Sequence, residues 1–151
     1  MRILLQRVDN KHPDLLKLVQ QLDEELKITD GDDHDFYDQY NGLDDIKHLL
    51  LAYTENRATA CGGFKAINKT TAEVKRMYTA QEARGKGLAR AILQEVELWA
   101  KQEGFERLVL ETGVRQYSAI ALYQKTGYQR MEENYGPYKG VAESLCFSKL
   151  L

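Results

Sequence analysis

The chain is predicted to be an α/β protein with one mixed, mainly antiparallel sheet flanked by helices. Two long segments carry apolar residues at helical spacing: Leu15, Leu18, Leu22 and Leu26 in the first, Leu88, Ile92, Val96 and Trp99 in the second. Between them lie three strand-like segments joined by links too short for a crossover, which makes them an antiparallel meander. After the second long helix, strand and helix patterns alternate. The 151 residues suit a single domain, 1–151, with one core.

Met1 to Val8 is short and apolar and reads as a first strand. Pro13 opens the first helix, where a missing N–H does no harm, and Thr29-Asp30-Gly31-Asp32-Asp33 breaks it. Phe36 to Tyr40 forms a short second helix ending near Asn41-Gly42. Ile46 to Tyr53 is the second strand, Arg57 to Ala66 the third and Ala72 to Thr79 the fourth, with turns at Glu55-Asn56 and Asn68-Lys69. A helix from about Lys86 to Gln102 is stopped by Gly104. Arg107 to Glu111 is the fifth strand, and Ser118 to Lys125 is a helix with Gly127 as its C-terminal stop. Tyr128 to Glu132 and Glu143 to Lys149 are the last strands, separated by the turn-rich loop Asn134 to Gly140.

Composition narrows the class. Hydrophobic content of 43% and charged content of 29% fit an ordinary globular protein. A net charge of -2 gives no reason to expect a nucleic-acid partner. No apolar run is long enough to span a bilayer, and Arg2 and Arg7 bracket too short an apolar stretch for a signal peptide. A cytoplasmic protein without a membrane partner is therefore expected. Cys61 and Cys146 lie far apart, each in a strand-like segment, and read as reduced, buried thiols. Neither has a motif for a nucleophile, and no metal site is expected.

The most informative segment is Arg84-Gly85-Lys86-Gly87, which follows a strand and opens an amphipathic helix. Free N–H groups and the helix dipole at such a turn suit a phosphate or pyrophosphate. Glycine lets the backbone approach that ligand closely, and Arg84 and Lys86 add mobile positive charge. The third glycine of a dinucleotide fingerprint is missing, and no Gly-Lys-Ser/Thr follows, so neither a Rossmann turn nor a P-loop is present.

The order of elements, with R-G-x-G opening the helix after the fourth strand, resembles the GNAT superfamily of acyl-CoA-dependent N-acetyltransferases. A second segment, Ala119-Ile120-Ala121-Leu122-Tyr123-Gln124-Lys125-Thr126-Gly127-Tyr128, resembles that family's A-x-x-L-Y-x-x-x-G-F/Y motif. Leu110-Glu111-Thr112-Gly113 and Tyr135-Gly136-Pro137-Tyr138 resemble segments of some bacterial members. The resemblance implies splayed fourth and fifth strands, with acetyl-CoA as cosubstrate in the gap. Its pantetheine arm would pair with the backbone of Met77, Tyr78 and Thr79, as a strand is added to a sheet edge. Its pyrophosphate would sit on Ala83, Arg84, Gly85, Lys86, Gly87, Leu88 and Ala89. Gln116, Ala119 and Tyr123 would border it from the later helix. Two positions depart from the family pattern: Glu82 replaces the usual Gln or Arg, and Gln116 replaces an Asn.

The chemistry implied is attack of an amine on a thioester. The amine must be neutral, and the leaving thiolate gains from a proton. By resemblance, Tyr123 matches the tyrosine acid, and an ordinary phenol stays protonated at neutral pH. Glu73 matches the fourth-strand glutamate that serves as base in several members, and Glu111 is a rival base or a substrate anchor. On the acceptor side, Phe36, Tyr37, Tyr135 and Tyr138, with the Asp30 to Asp35 turn, form an acidic, aromatic wall suited to a cation. Arg76 would instead hold a carboxylate. Of the histidines, His34 alone lies where substrate would pass. The expected activity is acetylation of a small-molecule primary amine. A protein lysine or N-terminus is the alternative acceptor, a non-catalytic CoA-binding module is the alternative of another class, and a homodimer stays open.

Overall fold

The structure, a computed structural model, describes residues 2–151. Strand β1 (Leu4–Val8) leads to helix α1 (Pro13–Asp30); Met1, included above in the first strand, lies outside the described residues. His12 caps α1, its Nδ1 accepting from the Asp14 N–H at 3.2 Å. The helix continues to Asp30, and Gly31 at φ +55° turns the chain out of it. A single 3-10 turn leads to α2 (His34–Asp38), then to β2 (His48–Thr54), β3 (Arg57–Ala66) and β4 (Thr71–Thr79). Helix α3 (Leu88–Gln102), β5 (Arg107–Gly113), α4 (Tyr117–Lys125), β6 (Gln129–Arg130) and β7 (Ser144–Leu150) complete the order.

One seven-stranded sheet runs β1-β2-β3-β4-β5-β7-β6. Every neighbouring pair is antiparallel except β4 and β5. The continuous apolar run in β2 explains the layering. Leu50 and Ala52 enter a cluster with Phe64, Ile92, Val96 and Leu108 beneath α3. Leu49 and Leu51, pointing the other way, pack with Leu15, Leu18 and Val19 of α1. A strand buried on both faces shows no polar alternation. Leu15 and Ile92, each fully buried, anchor the two helices on opposite faces, and burial of each such side chain contributes roughly 1.5–3 kcal/mol.

Two backbone features place the site. The β3–β4 register slips between Cys61 and Gly63, and Arg76 of β4 takes φ +60°. This is a β-bulge, which bends and twists its strand. Opposite it, a side chain at Gly62 would collide with Met77 Sδ and Ile92 Cγ2, so glycine there lets α3 sit close against the bulge. The β4–β5 pair, meanwhile, is short. Thr71, Ala72 and Glu73 pair with Arg107, Leu108 and Val109, and pairing then stops.

Candidate active site

Beyond Glu73 and Val109 the strands diverge, although β4 continues to Thr79 and β5 to Gly113. The gap opens into a cleft of about 140 Å³. Leu22 and Leu26 of α1 line it, as do Gln116, Ala119 and Tyr123 from α4 and its cap, and Tyr37 and Tyr138. The free edge of β4 at Met77, Tyr78 and Thr79 leads from this cleft to the start of α3. Thr79 Oγ1 is buried without a partner among the described residues.

At the start of α3, Gly85 and Gly87 have φ +79° and +83°, a region side chains rarely adopt. Chain neighbours aside, no atom of the described residues lies within 4 Å of where a side chain would begin at either position. Gly87 is the N-cap and supplies no side-chain acceptor, so the first-turn N–H groups of Leu88 and Ala89 have no partner among the described residues. Open space, free donors and a helix N-terminus fit a pyrophosphate. Ala83 and Arg84 contribute differently from expectation. Their N–H groups bond to Ala80 and Gln81 carbonyls in a 3-10 turn. The Arg84 guanidinium is not mobile either: it donates to Glu25 at 2.7 and 2.8 Å, and its Nε donates to the Thr79 carbonyl at 3.0 Å. Lys86 is exposed beside the turn.

The floor of the cleft carries carboxylates. Glu73 is buried, accepts from Tyr135 Oη at 2.6 Å, and lies 3.8 Å from Lys75 Nζ. Burial holds the Lys75 ammonium below its ordinary range, partly offset by Glu73. Glu111 accepts from Ser144 Oγ at 2.6 Å, and Ser144 Oγ is 2.7 Å from Tyr37 Oη. With the Ser144 proton directed to Glu111, Tyr37 donates to Ser144, giving a chain from α2 through β7 to β5. Burial pushes Glu111 up to about 7, against the lowering effects of Ser144 and Lys75. Tyr123 is buried against Tyr128 and Phe147, and none of the described residues hydrogen-bonds its hydroxyl. Burial, then the Glu111 charge, push its phenol well above the ordinary tyrosine range.

The structure thus brings together Glu73, Arg76, Met77, Glu111, Gln116, Ala119, Tyr123, Tyr37 and Tyr138. Three expectations are corrected. Arg76 is not free to hold a carboxylate, because its guanidinium bonds to Asp23 of α1. Phe36 does not line the cleft and packs on Tyr37 and Tyr40 in an aromatic cluster behind it. His34 lines a separate surface groove beside α1, with Leu16 and Asp38. Tyr135 reaches the site only through its bond to Glu73. Ser144 was missed altogether: a serine at a strand start carries no signal until β7 is known to lie beside β5.

Comparison with known proteins agrees with this geometry. The sequence profile of the acetyltransferase (GNAT) family matches residues 15–128. The IAA acetyltransferase of Azospirillum brasilense is 37% identical over 105 residues, covering 68% of this chain and 67% of that protein. Human N-acetyltransferase 8 is 28% identical over 90 residues, 56% of this chain and 40% of that protein, so the chain spans well under half of that relative. A Klebsiella pneumoniae protein provisionally assigned as an acyl-CoA N-acyltransferase superimposes with TM-score 0.83 at 26% identity, covering 99% of this chain and 97% of that one. A GNAT acetyltransferase of Elizabethkingia anophelis, solved with acetyl-CoA bound, superimposes with TM-score 0.72 at 22% identity, covering 99% and 98%. With the diverging strands and glycine turn in place and the profile matching most of the sequence, the chain belongs to the GNAT family and is an acetyl-CoA-dependent N-acetyltransferase.

Proposed function

We propose that the protein acetylates a primary amine of a small molecule by direct attack, with no covalent enzyme intermediate, and that Glu111 accepts the amine's proton. The observation that carries this is Glu111 itself: a carboxyl in the cleft, held near 7 by burial, with Tyr123 lining the same cleft. A general base works best when its pKa is near the operating pH. Glu73 was the first expectation for this role. Its carboxylate already accepts a short bond from Tyr135 and sits beside Lys75, which suits it to shaping the site. Acetyl-CoA supplies an activated acetyl group. The N–H groups from Gly85 to Ala89 would hold its pyrophosphate, and the free edge of β4 at Met77 to Thr79 its pantetheine arm. Tyr123, protonated at any working pH, would donate to the departing sulfur.

The cysteines support direct attack. Both are buried and free, and burial pushes Cys61 up to about 12 and Cys146 up to about 11, so neither supplies a thiolate. The same reduced thiols favour a cytoplasmic setting, and one domain over 1–151 suffices for the reaction. Tyr37 and Tyr138 at the cleft favour a compact acceptor over a peptide, and the Azospirillum relative is named for IAA. The test is release of CoA thiol across a panel of small amines and lysine peptides. Turnover confined to peptides would overturn the small-molecule reading.

A further inference from the structure

The cleft holds more negative charge than its own cations balance. Its acidic and basic residues are Asp30, Glu73, Lys75, Arg76 and Glu111. Arg76 is neutralised by Asp23, and Lys75 by Glu73. Asp30 and Glu111 remain. Asp30, at the C-terminal end of α1, is more than nine-tenths buried, and no described residue donates a hydrogen bond to its carboxylate. The nearby Arg115 directs its guanidinium to Asp33 and to the Asp30 main-chain carbonyl instead. Burial raises Asp30 above the usual aspartate range, with His34 and Arg115 opposing. An ammonium in the cleft would supply this carboxylate with the charged donor that the described residues do not give it.

The spacing of the two carboxylates gives the second constraint. Glu111 and Gly113 lie on one face of β5, two residues or roughly 7 Å apart. Asp30 Oδ1 stands 3.7 Å from where a side chain would begin at Gly113. Glu111 on β5 and Asp30 of α1, which stands beside Gly113, are therefore two carboxyls set apart along the direction of β5 without an ion-pair partner within the cleft. Resting on the acetyl-transfer reading above, we propose that the acceptor is a short diamine: one nitrogen is acetylated at Glu111 while the second, still an ammonium, is held by Asp30.

The test compares 1,4-diaminobutane with butylamine, which differ by the second nitrogen. Turnover is followed by CoA thiol release, and binding of each amine by calorimetry in the presence of CoA. A charge-assisted bond to a buried carboxylate predicts a preference for the diamine of about tenfold or more in kcat/KM and in affinity. In Asp30→Asn the ratio should fall to near unity. Equal use of both amines by the wild type overturns the proposal while leaving the acetyltransferase reading intact. A preference that persists in Asp30→Asn overturns it too, since the second subsite is then elsewhere. Tighter, Asp30-dependent diamine binding without turnover overturns the diamine as acceptor and leaves Asp30 as an ammonium-binding group only.

Discussion

Replacing Glu111 by Gln should make the protein more stable at alkaline pH while removing its base. The amide keeps the size and still accepts from Ser144 Oγ, so packing is preserved. The folded-state carboxyl titrates at about 7 against an ordinary 4.5, so its charged form is disfavoured by about 3 kcal/mol on folding. A raised pKa means that this group's contribution is fully present below about 4.5 and lost as pH rises through about 7. Gln does not titrate and loses nothing. Between pH 5 and 8 the wild type should therefore fall relative to Glu111→Gln by about 2–3 kcal/mol. Asp30, present in both proteins, cancels to first order. Urea unfolding at the two pH values, read with a common slope, measures the difference. A variant that gains less than about 1 kcal/mol, or loses stability, would show that Glu111 is not desolvated as its burial implies, and the argument for its role as base would fail with it.

Other substitutions probe the remaining parts. Tyr123→Phe should lower kcat by about 10- to 1000-fold with little change in acetyl-CoA affinity, and wild-type turnover with chemistry rate-limiting would assign Tyr123 to packing alone. Gly87→Glu should abolish acetyl-CoA binding, and Gly87→Ala, which imposes the φ +83° strain without the charge, should weaken it less; equal affinities for the two variants would refute an anion site there. Ser144→Ala removes a bond that lowers the Glu111 pKa, so the acid limb of the kcat/KM profile should move to higher pH, and an unmoved limb would uncouple Ser144 from the proton. Glu73→Gln should leave the position of that limb near the wild-type value, whereas its disappearance would return the base role to Glu73.

Much of the fold was legible because local pattern and tertiary environment agree. Leu15, Leu18 and Leu22 mark the buried stripe of α1, and Glu55-Asn56, both at positive φ, form the tight turn between β2 and β3. The glycine turn before α3 was readable because positive φ and free N–H groups follow from residue type. The electrostatics were not. Whether Arg84 and Arg76 are free depends on Glu25 and Asp23, on one turn of α1, facing β4 and its following loop across more than fifty residues of sequence. Glu111 differs from Glu73 only through its surroundings. Its pKa is set first by burial, then by Ser144, Lys75 and Asp30; Ser144 and Asp30 reach it because β7 inserts between β5 and β6 and because α1 extends to Asp30. No spacing rule encodes that insertion.

The central claim is that an amine acceptor gives its proton to Glu111 and takes the acetyl group directly. The most direct measurement is the pH dependence of kcat/KM for amine-dependent CoA release, in the wild type and in Glu111→Gln. The account predicts no release without amine, an N-acetylated product by mass spectrometry, and a wild-type acid limb near 7 that is absent from Glu111→Gln. CoA release independent of amine, or an unchanged limb in Glu111→Gln, would contradict it.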